Sequence, residues 1–148
     1  MTPFFNHVAW IVDDQDAAVA FLEKHFECEA GPKAVIDGPW ADELAQMKNV
    51  RVIYQGVASP GTQSRIAVLR FETPPPLQNN SVGVLNMKGF RHIGFMVDDI
   101  DGKTAELKAA GYQFFGDIVT APGFDSRTVY FYGPEGVIMQ LSQSTKSS

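Results

Sequence analysis

Apolar residues near the start of the chain fall on both parities. Val8, Trp10 and Val12 alternate with Phe5, His7, Ala9 and Ile11, which predicts a strand from Phe4 to Val12 buried on both faces. Asp13 and Asp14 follow it and suit the cap of a helix, and Asp16 adds negative charge to the first turn. Ala18, Phe21, Leu22 and Phe26 then recur at helical spacing, predicting a helix that covers one face of a sheet. Further strands are predicted at about 28–36, 49–57 and 64–72. The pattern then starts again, with a strand at about 90–97, a helix at about 100–110 closed by Gly111, and strands at about 112–118, 126–132 and 136–142.

The second half is a copy of the first. His7-Val8-Ala9-Trp10-Ile11-Val12-Asp13-Asp14-Gln15-Asp16 returns as His92-Ile93-Gly94-Phe95-Met96-Val97-Asp98-Asp99-Ile100-Asp101. A repeat of this kind sets the architecture before any single residue does. Each copy reads β-α-β-β-β. The first is longer around Gly38 to Gly61, where Gly38-Pro39-Trp40-Ala41-Asp42-Glu43-Leu44 predicts a short helix after a turn. The expected organisation is α+β and a single domain over 1–148. Module one spans 4–72, a Pro-rich linker 73–88, and module two 89–143. The two modules are expected to join into one curved, cup-like mixed sheet with helices on its outer face.

Composition narrows the function. The chain has 148 residues, 45% of them hydrophobic, enough for one packed domain. The net charge of −5, from 12 basic and 17 acidic residues, offers no electrostatic footprint for nucleic acid. Cys28 is the single cysteine, so no internal disulfide forms; Glu27 and Glu29 beside it would raise its thiol pKa, and it is expected to be a small strand residue. No apolar run reaches about 18 residues, so no membrane span is expected. The first strand starts almost at Met1, leaving no room for a signal peptide, and a cytoplasmic protein is expected. The polar tail from Ser142 to Ser148 is expected to fray.

Strand alternation places the candidate chemistry. His7 shares a face with Phe5, Ala9 and Ile11, and His92 with Gly94 and Met96. The bulkier faces, Val8/Trp10/Val12 and Ile93/Phe95/Val97, should pack under the helices. Small residues beside a polar one leave room for a ligand. Gln140, in the apolar strand Gly136-Val137-Ile138-Met139-Gln140-Leu141, needs a partner because burying an amide is costly.

The two His-Val/Ile-Ala/Gly-Trp/Phe-Ile/Met-Val-Asp-Asp strands resemble those of the vicinal oxygen chelate superfamily. So does the turn and last strand Tyr132-Gly133-Pro134-Glu135-Gly136-Val137-Ile138-Met139-Gln140-Leu141. That superfamily includes glyoxalase I, methylmalonyl-CoA epimerase, extradiol dioxygenases, fosfomycin resistance enzymes and bleomycin-binding proteins. The resemblance covers about residues 4 to 143. It implies paired βαβββ modules with a divalent metal between ligands on the first and last strands of each. His7 and His92 match the first-strand ligands and Gln140 a last-strand ligand. The fourth position falls at Ala67, which cannot bind metal. Two imidazoles and an amide suit zinc, nickel, cobalt or iron better than magnesium.

The resemblance further implies a metal-dependent isomerase, epimerase or lyase of the glyoxalase type that stabilises an enolate of a small carbonyl or thioester. The layout is closest to methylmalonyl-CoA epimerase. Asp42 or Glu43 would move the proton. Trp40, Tyr54, Ala67, Met96 and Tyr130 would contact substrate. Glu72 could act beyond the fourth-ligand strand. Arg51, Arg65, Arg70 and Arg127 could bind an anion, although strand arginines usually face water. Ala67 keeps an alternative open, a metal-free binding protein of the bleomycin-resistance type. A ring-cleaving dioxygenase fits less well, because Gln140 stands where its facial triad needs a carboxylate. A small-molecule substrate and a homodimer are expected, with neither nucleic acid nor membrane as partner.

Overall fold

The structure, a computed structural model, describes residues 1–146. It contains two compact units, Met1–Gln78 and one beginning at Asn79. Each is a βαβββ module, and the α+β class expected from the sequence holds.

The first unit runs β1 (His7–Ile11), α1 (Gln15–Phe26), β2 (Glu29–Asp37), α2 (Pro39–Ala45), β3 (Arg51–Ala58) and β4 (Arg65–Thr73). The second runs β5 (His92–Met96), α3 (Ile100–Ala109), β6 (Val119–Ala121), β7 (Ser126–Tyr132) and β8 (Ile138–Ser144), with a 3₁₀ turn at Pro134–Gly136. The sheets are ordered β1-β4-β3-β2 and β5-β8-β7-β6. In each, the first strand lies parallel to the last and the remaining pairs are antiparallel.

The acidic clusters do the same job in both copies. Asp14 accepts a hydrogen bond from the Ala17 amide at 3.0 Å, and Asp99 accepts one from the Gly102 amide at 2.9 Å. Each carboxylate satisfies an amide that the first helical turn leaves free. The helices end differently. Glu27 closes α1 in the left-handed conformation, whereas α3 runs into Gly111 at φ +97°, the glycine the sequence marks as its cap.

Packing follows the predicted parity for one face only. Trp10 and Val12 are buried with Ala18, Leu22, Val57 and Val68 in the first unit. Ile100 and Leu107 are buried with Val129, Phe131, Met139 and Leu141 in the second. The other face of β1 is open: His7, Ala9 and Ile11 are exposed, as are His92, Gly94 and Met96 on β5. The expectation of a first strand buried on both faces is therefore corrected, and β1 is shorter than predicted, with Phe4 and Phe5 outside it and exposed.

Two other elements depart from the pattern. Residues 112–118 form no strand. Phe114 makes an isolated antiparallel bridge to Phe131, with the Phe115 amide donating to the Tyr130 carbonyl at 3.0 Å and the Tyr132 amide to the Gln113 carbonyl at 2.9 Å. The Phe114 ring stacks on Phe131 at 5.1 Å, and the Lys108 ammonium lies over it, so the segment is held at one point by backbone and side chains together. The strand expected there is the short β6 beyond it. Of the helices, α2 does not join α1. Ala41 packs with Val50 and Val52 against Ile36, Leu69 and Phe71. Leu69 pairs with Ile11 and Tyr54, so α2 covers the His7 side of its sheet. Trp40, Asp42 and Glu43 are carried onto that side with it.

Gln15 ties α1 to its sheet. Its side chain is buried, and its amide donates to the carbonyls of Ile53 and Val68, both at 2.9 Å. Gln15→Ala should lower unfolding free energy by about 1–3 kcal/mol, because two strand carbonyls lose a buried donor. Urea denaturation checks this, and an unchanged midpoint would contradict it.

Candidate functional site

In module one the pairing puts His7, Ala9 and Ile11 of β1 level with Arg65, Ala67 and Leu69 of β4. Those in turn lie level with Ala58, Gly56 and Tyr54 of β3. All nine point to one face. The Nδ1 atom of His7 lies 2.7 Å from Oδ1 of Asn6. A carbonyl oxygen only accepts, so Nδ1 carries the proton and the Nε2 lone pair is free. Ala67 is buried at the middle of this face. The Tyr54 ring folds over Gly56: a β-carbon built on Gly56 would lie 2.6 Å from the Tyr54 hydroxyl. A larger residue there would push the tyrosine ring aside.

In module two the corresponding face carries His92, Gly94 and Met96 of β5, Ile138, Gln140 and Ser142 of β8, and Tyr132, Tyr130 and Thr128 of β7. The orientation of the Gln140 amide follows from its neighbours. The Thr128 hydroxyl donates its one proton to the Leu141 carbonyl at 2.9 Å. It must then accept from Gln140, whose Nε2 is 2.8 Å away, and from the Ser142 hydroxyl at 3.1 Å. The Gln140 Oε1 is thereby turned toward Gly94, lying 3.7 Å from where a β-carbon on that glycine would be. An aromatic row runs beside it. The His92 and Tyr130 rings meet edge-on at 5.2 Å, Tyr130 and Phe115 are 5.5 Å apart, and Phe115 and Tyr132 4.6 Å.

The structure thus gathers His7, Tyr54 and Ala67 on one face, and His92, Met96, Tyr130 and Gln140 on another. Thr128, Ser142, Asn6 and Phe115 were missed. Alternation could have found Thr128, two residues before Tyr130. Phe115 lies outside any strand and gives no such signal.

The candidate carboxylates differ. Asp42 is committed to the turn after α2, its two oxygens accepting from the amides of Val50 at 2.8 Å and Asn49 at 3.0 Å. Glu43, next to it on α2, is exposed. Trp40, at the start of α2, is also exposed. Glu72 is clamped by Arg51 at 2.6 Å and Arg70 at 2.9 Å. The Arg51 hydrogen bond, with Arg70 adding to it, holds the Glu72 carboxyl below its ordinary pKa. Burial, and secondarily the charge of Glu23, pushes the Cys28 thiol up; the neighbours Glu27 and Glu29 are not what raises it. Among the described residues no three His, Cys, Asp or Glu side chains gather as a metal site.

A sequence profile described as the Glyoxalase/Bleomycin resistance protein/Dioxygenase superfamily matches residues 4–141. No curated protein matches the chain in sequence. Among solved structures, the chain is similar to a glyoxalase family protein from Bacillus cereus. Identity is 26% and the TM-score 0.87, over 96% of this chain and 94% of that one. It also shares its fold with TnmS3, an antibiotic binding protein from Streptomyces sp. CB03234, at 22% identity and a TM-score of 0.62 over 97% of each chain. The genomically encoded fosfomycin resistance protein FosX of Listeria monocytogenes, solved with Mn(II) and sulfate, matches at 19% identity and a TM-score of 0.58. That match covers 98% of this chain and 95% of FosX.

The two acidic residues of α2 should separate in their effect on stability. Asp42→Ala removes the acceptor for two amides and should cost about 1–3 kcal/mol. Glu43→Gln, at an exposed site, should stay within about 0.5 kcal/mol of the unaltered chain. Thermal or urea unfolding reads both, and equal stabilities would contradict the role given to Asp42.

Proposed function

The chain belongs to the Glyoxalase/Bleomycin resistance protein/Dioxygenase superfamily, and from that premise we propose that it is a metal-dependent isomerase, epimerase or lyase acting on a small carbonyl or thioester compound. The observation that carries this reading is the orientation of the donors. Asn6 holds the proton side of His7 and leaves Nε2 free, and Thr128 holds the nitrogen side of Gln140 and leaves Oε1 free. Hydrogen bonds that fix the far side of a ligand are the usual support of a metal site. His7, His92 and Gln140 would hold a divalent ion, and their neutral nitrogen and oxygen donors fit zinc, nickel, cobalt or iron.

When bound, the ion supplies Lewis-acid polarisation of a substrate carbonyl. The chain's own residues do the rest. Glu43 takes the proton next to the carbonyl, since the Asp42 carboxylate is already engaged. Tyr54 and Tyr130 donate hydrogen bonds to substrate oxygens. Trp40 in module one, and Met96 and Phe115 in module two, would supply apolar contacts to the substrate. The working unit in this reading is a homodimer, consistent with the exposed Ile11 and Met96.

A second reading, a metal-free binding protein, is favoured by two observations. The fourth-ligand position is Ala67, and module two carries the aromatic row of His92, Tyr130, Phe115 and Tyr132. TnmS3, which shares this fold, is an antibiotic binding protein.

Elemental analysis of purified protein separates the two. The metal reading predicts about one ion per chain, lost in His7→Ala and His92→Ala, and affinity lowered about 10-fold in Thr128→Val through release of the Gln140 amide. Equal metal in all four proteins would contradict it. No metal in the unaltered chain, together with saturable quenching of tryptophan fluorescence by a flat aromatic ligand, would establish the second reading.

A further inference from the structure

Arg65 stands apart from the other arginines. Arg51 is held by Asp37 and Glu72, Arg70 by Glu72, and Arg127 by both oxygens of Asp101. Arg91 donates to the carbonyls of Phe90, Ser81 and Val84. Among the described residues the Arg65 guanidinium alone has neither an ion pair nor a hydrogen bond. A guanidinium without a partner on the protein is available to an anion.

Its position is specific. Arg65 is the strand partner of His7 and lies on the same face. It lines a hollow of about 530 Å³ with Asn6, Gly31, Gly56, Ala58 and Gln63. A β-carbon on Gly56 would lie 3.3 Å from Cδ of Arg65 and 2.6 Å from the Tyr54 hydroxyl, so the two side chains converge over that one backbone position. Glu29 also borders the hollow, but two strands away along the row Glu29–Ala58–Arg65, roughly 10 Å at normal strand spacing. Its charge disfavours a large anion and leaves a compact one at the Arg65 end.

We propose that Arg65, with the Tyr54 hydroxyl beside its stem, holds a carboxylate or phosphate group of the substrate in this hollow. A planar guanidinium fits either group through paired N–H donors, and the phenol adds a third. The substrate class is therefore an anionic carbonyl compound, with its charged end one strand away from His7. This deepens the reading of His7 as a site residue and rests on it.

The test needs neither metal nor turnover. Metal-stripped protein is titrated with inorganic phosphate, acetate and neutral methyl acetate, following the backbone amides of Gly31, Gly56 and Ala58 and the Nε–H of Arg65 by NMR. Saturable shifts with phosphate, acetate or both, and none with methyl acetate, are expected, and the stronger of the two anions identifies the group. Arg65→Gln should weaken that binding at least about 10-fold and Tyr54→Phe about threefold to tenfold. Arg65→Lys should recover part of the loss. Binding of methyl acetate as strong as acetate, no saturable shift with either anion, or unaltered affinity in Arg65→Gln would overturn the proposal. Since metal is absent throughout, failure of the metal assignment leaves these outcomes unchanged.

Discussion

Backbone pairing between the first and last strand of each module fixes which side chains share a face. The parallel register sets His7 beside Arg65 and Ala9 beside Ala67, and sets His92 beside Ile138 and Gly94 beside Gln140. The ladders continue past the strand ends, from Val12 to Leu69 and from Val97 to Ser142. A slip of one residue would turn each histidine under its helix and bring Val8 or Ile93 to the open face. The buried residues resist that slip. Trp10 and Val12, both buried, would have to leave the core in module one, and Leu141 in module two.

Within that frame the two modules have diverged in a coordinated way. Gln140 occupies the position of Ala67, Tyr130 that of Gly56, and Thr128 that of Tyr54, by their registers with the first strands. In module two a long amide is steadied by a short hydroxyl. In module one a long phenol lies over a glycine, beside an alanine too short to reach. Module one thus presents its phenol from β3, and module two its amide from β8. An extended side chain at 67 would compete with Tyr54 for the space above Gly56.

Much of this was legible from the chain. The repeat gave the two modules, the acidic clusters gave both helix starts, and alternation put each histidine on the face opposite the core. Three things were not legible, for physical reasons. The open face of β1 carries Ile11 and Phe precedes it, so apolar content alone reads as burial. Residues 112–118 have strand-like composition, yet their backbone pairs with β7 only at the single bridge of Phe114 to Phe131, whose two rings also stack. The side of the sheet that α2 covers depends on Ala41 meeting Val52 and Leu69, contacts that no local pattern encodes. The difference between Asp42 and Glu43 likewise appears only once the Asn49 and Val50 amides are in place.

The central claim is that Asn6 sets the free ring nitrogen of His7 and Thr128 the free oxygen of Gln140, and that these two groups act with His92 as ligands. Long-range ¹H–¹⁵N correlation of the histidine rings, recorded before and after adding zinc, tests it most directly. The account predicts that His7 starts as the Nδ1–H form and that zinc moves its Nε2 resonance together with one ring nitrogen of His92, while His25, buried against Phe21, stays unchanged. A His7 ring protonated on Nε2 at the start, or a zinc response confined to one of the two histidines, would contradict it.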